Sequence, residues 1–356
     1  MNRTACYDWH VARGARVVDF AGWDMPIQYT SITEEHTAVR TKSGLFDIGH
    51  MGRLKFTGPD ACKFLDFLLT NDVTKLAVGD IRYALVTNEA GGILDDVLVY
   101  RFENSYLLVV NASNREKIVG WIDKHQTDFD VEMVDQTLDQ FMLAIQGPQA
   151  VEVLTPLVDT DISAMKYYTG LETTLMEIPV IVTRTGYTGE DGYEVILPTE
   201  HGQDLWSKLI SLGVTPAGLG CRDTLRLESA MPLYGHELDE TTDPYTAGLA
   251  FGVKLQAGDF LGKAALVAAK ENTDRPKRVG LELSGKRIAR EGAEIYRGEE
   301  KIGTVTSGTY SPTLEKPIAM GYVPQSAAEV GTELEVDIRG KRLPATVVKL
   351  PFYKRA

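Results

Sequence analysis

Asn88-Glu-Ala-Gly-Gly-Ile-Leu-Asp-Asp-Val-Leu-Val-Tyr100 is the stretch of sequence that decides the fold. Its Ala-Gly-Gly segment is typical of a turn, and the residues after it predict a strand from Ile93 to Phe102. Strands are also predicted before the turn, from Ile81 to Thr87, and after a short connection, from Tyr106 to Asn111. Together these three segments predict an antiparallel hairpin unit.

Two adjacent carboxylates, Asp95 and Asp96, lie within the longest of these predicted strands. Because strand side chains alternate between two faces, Asp96 shares its face with Leu98, while Asp95 shares the other face with Val97. Apolar residues on both faces predict a largely buried strand, where an ionised carboxylate is costly without partners. We expect Asp95, which is nearer the turn, to accept hydrogen bonds from the turn N–H groups. Asp96 is the candidate for acid–base chemistry, with a structural role as the alternative.

Two further segments are candidates for a binding site. Arg184 to Glu194 has three glycines within seven residues, which let a backbone approach a ligand closely, and Tyr187 and Glu194 could face that ligand. A glycine-rich hairpin without a ligand is the alternative. Gly220 to Glu228 predicts a helix that carries Arg222 in its first turn, and pairing of its arginines with carboxylates for stability is the alternative there.

Local patterns outside the hairpin unit predict how the rest of the chain is organised. Ser113-Asn-Arg-Glu116 is a capping box that predicts the start of a helix ending near His125. From Lys277 onward, short β-type runs are separated by Gly and Pro, which predicts a final all-β module of roughly 80 residues.

Composition excludes several classes of function. The 356 residues carry 37 Lys and Arg against 50 Asp and Glu, a net charge of −13 that makes electrostatic binding of nucleic acid unfavourable. No apolar run approaches the roughly 18 residues of a membrane span, and the N-terminal segment does not look like a signal peptide. The three widely separated cysteines favour a reducing compartment, so we expect the cytoplasm. Dinucleotide and phosphate-loop motifs are absent, and the histidine spacing predicts no metal site.

Eight segments in register resemble one family, the aminomethyltransferase or T-protein of the glycine cleavage system. They are Phe20–Trp23, Phe46–Gly52, Thr70–Asp72, Asn88–Asp96, Arg184–Glu194, Pro216–Asp223, Leu283–Ile288 and Thr306–Pro312. The resemblance implies an α+β fold in which mixed α/β subdomains surround a central hole that binds folate. It implies a folate-binding region over residues 1–270, made of two interleaved subdomains, roughly 1–50 with 140–270 and 51–139. Residues 271–356 would form a small C-terminal β-barrel.

The resemblance also implies a reaction and a set of site residues. The methylene carbon of an aminomethyl group, carried on the dihydrolipoyl arm of the H-protein, would pass to tetrahydrofolate with release of ammonia. Asp96 matches the catalytic aspartate of the family, Glu194 the acid that receives the pterin N–H edge, and Arg222 another folate-site position. No metal is implied. The other residues matched to the folate cavity are Met51, Tyr83, Tyr100, Asn111, Tyr187 and Phe251, the last standing where relatives often carry Trp.

A locally basic segment, Lys286-Arg287-Ile-Ala-Arg290, suggests where the partner binds, because H-proteins are generally acidic. A solvated surface loop is the alternative for this segment. For the whole chain, one alternative is a folate-dependent demethylase of the same superfamily. The other is a non-catalytic folate-binding protein that maintains iron–sulfur enzymes; such proteins carry a Cys after Lys-Gly, and no cysteine here follows that pair.

Overall fold

A computed structural model describes residues 1–355 as an α+β protein that ends in a closed β-barrel. In chain order the helices are α1 (Tyr7–Ala12), α2 (Ile32–Thr41), α3 (Ala61–Leu68), α4 (Arg115–His125), α5 (Ala150–Leu154), α6 (Gly202–Ser211), α7 (Leu219–Glu228) and α8 (Lys263–Glu271). The strands are β1 (Arg16–Phe20), β2 (Trp23–Gln28), β3 (Gly44–Asp47), β4 (Gly52–Thr57), β5 (Ile81–Thr87), β6 (Ile93–Arg101), β7 (Tyr106–Val110), β8 (Glu132–Asp135), β9 (Gln140–Gln146), β10 (Gly170–Leu175), β11 (Ile178–Thr183), β12 (Gly192–Pro198), β13 (Thr215–Pro216), β14 (Lys277–Leu283), β15 (Glu294–Arg297), β16 (Glu300–Ser311), β17 (Lys316–Val323), β18 (Glu333–Asp337) and β19 (Arg342–Val348).

The predicted hairpin unit is confirmed as the first three strands of a five-stranded sheet, ordered β5-β6-β7-β4-β8. Strand β6 pairs antiparallel with β5 on one side and with β7 on the other. Gly91 has a φ of +84°, a conformation that favours glycine and that the turn before β6 requires. One face of the sheet packs on α3 and α4 through a core that includes Leu65, Leu68, Ile118 and Ile122.

A second sheet has six strands in the order β10-β11-β12-β9-β3-β13. Its outer face packs on helix α6, where Trp206 is fully buried among Leu143, Val195 and Leu209. Its inner face packs against the five-stranded sheet through a shared core that joins Met142 and Ile196 to residues such as Leu107 and Val109. The two sheets therefore face each other, and the segments at the edge of their interface can reach a common space.

The predicted C-terminal module is a barrel closed in the order β14-β17-β16-β15-β18-β19, and its interior is filled by apolar side chains such as Leu281, Val305 and Val347. Closure leaves this small sheet without unpaired edges. Helix α7 packs on strands β16 and β17 and joins the barrel to the two sheets.

The predicted capping box at Ser113–Glu116 is wrong. Ala112–Asn114 form a 3-10 turn, and α4 begins after it at Arg115 without a side-chain cap. The side chain of Asn114 donates instead to Asp95, with its Nδ2 at 2.6 Å from Oδ1. A long-range partner thus replaces the local cap, while the predicted end of the helix at His125 is confirmed.

Candidate active site

A cavity of about 1200 Å³ lies where the two sheets, α7 and the barrel meet. The five-stranded sheet contributes Asp96 from β6, the six-stranded sheet contributes Glu194 from β12, and α7 contributes Arg222. The structure therefore brings together residues that lie more than 120 positions apart in the sequence. The sequence-predicted residues in its lining are Met51, Tyr83, Asp96, Asn111, Tyr187, Glu194, Arg222 and Phe251.

The Asp96 carboxylate faces this cavity from the middle of β6 and has two hydrogen-bond donors. The Tyr83 hydroxyl donates to Oδ2 at 3.2 Å, and the Asn111 side-chain nitrogen donates to Oδ1 at 2.8 Å. Burial raises the pKa of the Asp96 carboxyl, and these two donors only partly oppose that shift. Because a raised carboxyl pKa approaches the range in which protons are exchanged at neutral pH, Asp96 is suited to acid–base work.

Asp95 does not have the role predicted from its position near the turn. The turn is held by Asn88, whose side-chain oxygen accepts from Gly92 N at 2.9 Å. Asp95 lies fully buried on the opposite side of β6 and accepts instead from Asn111 and Asn114. Alternation along the strand correctly separated the two acids, but the partners of Asp95 come from residues 16 and 19 positions further along the chain.

Glu194 is 6% exposed and is held on β12 by a hydrogen bond from the Thr185 hydroxyl, 2.5 Å from Oε2. Burial raises the pKa of Glu194, while Thr185 and the charge of Arg222 oppose the shift. The Gly-rich segment is indeed a hairpin, since β11 pairs with β12, and yet Gly186 and Tyr187 at its tip line the cavity. The segment is therefore a hairpin whose tip lines the cavity, and its contact with a ligand stays a prediction.

The two arginines of α7 have different surroundings. Arg226 is 1% exposed and pairs with Asp223 at 2.8 Å and Glu237 at 2.9 Å, the structural pairing considered as an alternative. Arg222 makes no ion pair within residues 1–355, and its guanidinium lies 4.7 Å from the centre of the Tyr187 ring. A guanidinium free of carboxylate partners at a cavity wall is available to an anionic ligand.

Tyr100 does not line the cavity, which corrects its predicted placement. It is fully buried in the core between the two sheets and lies near Phe102, with ring centroids 6.4 Å apart. It shares its face of β6 with Asp96, but the second sheet covers that end of the strand. Phe251 does reach the cavity, where it is 61% exposed. Its ring packs on the Tyr83 ring, with the two ring centroids 5.4 Å apart.

His50 and Tyr168 are among the lining residues that were not predicted from the sequence. His50 is 2% exposed, and its Nδ1 has no hydrogen-bond partner among residues 1–355. Burial, together with the charge of Arg222, lowers its pKa to about 3, so the ring is neutral at physiological pH. Tyr168 lines the cavity with a φ of +62°, an uncommon conformation for a non-glycine residue.

The basic segment lies in the connection that follows β14. Lys286, Arg287 and Arg290 are exposed, and Arg290 also lines the rim of the cavity beside Glu291. A partner bound to this segment would therefore lie next to the cavity opening.

Neither a metal centre nor a membrane span is found in the part of the chain that the structure describes. No group of three or more His, Cys, Asp or Glu side chains there is arranged to hold a metal ion. No helix among those residues is long and apolar enough to cross a bilayer.

Comparisons with known proteins agree over nearly the whole chain. The family described as "GCVT N-terminal domain" matches residues 6–257, and that described as "Glycine cleavage T-protein C-terminal barrel domain" matches residues 277–354. The aminomethyltransferase of Rubrobacter xylanophilus is 50% identical over 356 residues, covering 100% of this chain and 95% of that protein. The aminomethyltransferase of Streptomyces coelicolor is 47% identical over 365 residues, covering 100% and 98%.

A solved structure gives the same result. The glycine cleavage system aminomethyltransferase T from Bartonella henselae superposes with a TM-score of 0.94 at 35% identity, over 99% of this chain and 98% of that one. The match therefore includes both sheets and the barrel. The chain belongs to the glycine cleavage T-protein family, the aminomethyltransferases.

Proposed function

We propose that the chain transfers the methylene carbon of an aminomethyl group from dihydrolipoyl H-protein to tetrahydrofolate, with 5,10-methylenetetrahydrofolate, ammonia and dihydrolipoyl H-protein as products. Family membership over the full length supports this activity. The observation that carries the residue assignment is the cavity that Asp96, Glu194 and Arg222 reach from three different parts of the fold. Tetrahydrofolate is here a co-substrate, and the lipoyl group belongs to the partner.

Asp96 is the catalytic acid–base group in this proposal. Attack of one folate nitrogen on the methylene carbon displaces the amine as ammonia, and attack of the second folate nitrogen breaks the carbon–sulfur bond. Each attacking nitrogen loses a proton, which an ionised Asp96 can accept and pass to the departing amine or to the lipoyl thiolate. Tyr83 and Asn111 each donate to one of its oxygens, which fixes the carboxylate plane while leaving lone pairs towards the cavity. The raised pKa of Asp96 lets it return the proton to the departing amine.

Glu194 and Arg222 are the proposed folate-binding groups. Thr185 occupies one oxygen of Glu194, so the carboxylate is oriented and can still accept from the N–H edge of a pterin. Arg222 offers an unpaired cation to an acidic group of the folate. Tyr187, Tyr83 and Phe251 supply aromatic surface for the flat rings, and Met51 supplies an adaptable apolar contact.

Lys286, Arg287 and Arg290 form the proposed docking site for the H-protein. Their support is exposure, positive charge in a chain of net charge −13, and the place of Arg290 at the cavity rim. Because opposite charges accelerate encounter, such a site would act mainly on the association rate.

The proposal also covers the location and the division of the chain. The three cysteines are free thiols, which is consistent with a reducing cytoplasm. We propose that residues 1–270 form the folate-binding region, in which residues 51–139 are a subdomain inserted between residues 1–50 and 140–270. Residues 271–356 form the C-terminal domain. In its support, the five-stranded sheet draws its strands only from residues 52–135.

The decisive experiment supplies purified protein with aminomethylated H-protein and tetrahydrofolate. Ammonia and 5,10-methylenetetrahydrofolate should form in equal amounts, and both should depend on the folate. Failure to form either product from this donor would overturn the proposal. Methylenetetrahydrofolate formed instead from a small N-methyl donor would assign a demethylase.

A further inference from the structure

A hydrogen-bond bridge joins Asp96, which is partly buried, to the fully buried Asp95. The side-chain nitrogen of Asn111 lies 2.8 Å from Oδ1 of Asp95 and 2.8 Å from Oδ1 of Asp96. The same nitrogen lies 3.1 Å from the backbone oxygen of Asp96. Because an amide nitrogen has only two hydrogens, both are engaged by this pair of residues, and the orientation of Asn111 depends on both acids.

Asp95 is held in place by neutral donors alone. Besides the Asn111 side chain, its carboxylate accepts from Asn111 N at 3.0 Å and from Asn114 Nδ2 at 2.6 Å. No cation of residues 1–355 pairs with it, although it is fully buried. Burial and the neighbouring charge of Asp96 raise the pKa of Asp95, so the fold keeps two acids side by side at an electrostatic cost.

The titratable groups around the two acids are few. Tyr234 faces Asp95 and itself receives a hydrogen bond from Lys117 at 2.7 Å. Tyr83, Tyr168 and Tyr187 face Asp96 from the cavity side. Since these tyrosines stay neutral near pH 7, Asp95 is the nearest group whose charge can change in the acidic range.

We propose that Asp95 is a positioning residue for Asp96, acting through the side-chain amide of Asn111. This inference rests on the proposed function, because it assigns to Asp96 the acid–base step. Asp95 fixes the amide so that its second hydrogen is directed at the Asp96 carboxylate, and that hydrogen bond favours the ionised form of Asp96. A carboxylate with a purely structural role would lack this connection to the cavity.

The test compares wild type with Asp95→Asn, which preserves volume. In either orientation the new NH2 group would face a donor of Asn111 or Asn114, so Asn111 is held less firmly and kcat should fall about 10–100-fold. The KM for tetrahydrofolate should stay within about twofold, because Glu194 and Arg222, the proposed folate-binding groups, do not contact Asp95 or Asn111. The acidic limb of the kcat profile should move to higher pH, because the hydrogen bond from Asn111, which lowers the pKa of Asp96, is weakened.

A measurement without substrate separates this inference from the proposed function. In protein labelled with ¹³C at aspartate carboxyls, the Asp96 resonance, assigned with Asp96→Asn, should titrate at higher pH in Asp95→Asn than in wild type. If the proposed function were wrong, wild type would release no ammonia, but this shift would still be observed. An unchanged Asp96 titration would overturn the positioning role.

Two further variants separate a positioning role of Asp95 from a structural one: a control on the same sheet and a change to a donor of Asp95. Asp135 lies on β8 of the same sheet and pairs with Arg115 at 2.6 Å, so Asp135→Asn should lower stability without moving the pH profile. Should Asp95→Asn fail to fold, Asn114→Ala removes one donor from Asp95 and should lower kcat at unchanged KM. A loss of stability in Asn114→Ala with wild-type kcat would show that Asp95 is structural only.

Discussion

Buried and partly buried carboxylates in two regions of this protein differ in whether a cation forms a direct ion pair with them. At the junction of α2, α7 and the barrel, Glu228 is fully buried and pairs with Arg40 at 2.7 Å and His36 at 3.2 Å. In the cavity, Asp96 and Glu194 have only neutral hydrogen-bond donors. In the first region the ion pair stabilises the fold. In the second region the carboxylates keep their negative charge available to a ligand.

The pKa values follow this difference. Burial by itself would raise the pKa of Glu228. Hydrogen bonds from His36 and Ser311, together with electrostatic attraction to His36 and Arg40, lower this pKa to about 2. The pKa values of Asp96 and Glu194 stay raised, because nothing compensates their burial fully. Burial alone therefore does not mark a functional acid. A functional acid is indicated when a carboxylate lies beside an open cavity, is removed from solvent and has no direct ion pair.

The largest expected effect is that of Asp96→Asn on catalysis. Aminomethyl transfer should fall roughly 10²–10⁴-fold, the range for loss of a positioned acid–base group, while folate affinity changes far less. Stability should hold or rise, because a carboxyl with a raised pKa destabilises the fold as pH rises through that pKa. Steady-state kinetics and denaturation at pH 5 and pH 8 measure both effects. Wild-type turnover in this variant would remove Asp96 from the mechanism.

Glu228→Gln should have the opposite profile, a loss of stability with intact chemistry in the folded protein. Breaking a buried ion pair leaves Arg40 with Glu190 as its remaining carboxylate partner, so the free energy of unfolding should fall by about 3–5 kcal/mol. Because the folded-state pKa of Glu228 is lowered to about 2, its contribution is full above the unfolded-state pKa and lost as pH falls towards 2. The stability curves of variant and wild type should therefore converge over that acidic range in urea titrations.

Glu282→Gln is the matched control for that measurement. Glu282 pairs with Lys316 at 3.0 Å on the barrel surface, where both side chains are partly exposed. Removal of an exposed pair should cost about 0–1 kcal/mol. Equal costs for Glu228→Gln and Glu282→Gln would contradict the distinction between the two regions.

Part of this arrangement was predictable from local sequence. The Gly-Gly turn and the alternation on both sides fixed the hairpin unit, and with it the placement of Asp95 and Asp96 on opposite faces. The partners of Asp95 were not predictable, because Asn111 and Asn114 reach it only after the chain has passed through β7. Tyr100 was misplaced for a related reason, since its covering sheet is formed by distant strands.

Glu194→Gln should weaken folate binding by about 1.5–3 kcal/mol, because the amide offers one good acceptor where the carboxylate offers two. Isothermal titration calorimetry with tetrahydrofolate measures the change. Asp191→Asn is the control in the same hairpin, since Asp191 pairs with Arg184 at 2.5 Å and does not line the cavity. Wild-type affinity in Glu194→Gln would make Glu194 part of the scaffold and leave Asp96 as the one functional acid of the cavity.

The smallest expected effect is that of reversing the charge of two exposed cations in the basic segment. Changing both Lys286 and Arg290 to Glu should slow association with the H-protein at low ionic strength, and the effect should shrink as salt screens the charges. Stability and folate affinity should not change, because both side chains are exposed.

The control for charge reversal carries the same change in net charge elsewhere. Lys63 on α3 and Lys124 on α4 lie on helices that cover the other face of the five-stranded sheet, and both are exposed. Changing these two to Glu should leave the association rate almost unchanged if the rim of the cavity is the docking site. Stopped-flow association at several salt concentrations distinguishes the two double variants. Equal slowing in both would mean that net charge alone steers the partner, so the basic segment would be a solvated loop with no docking role.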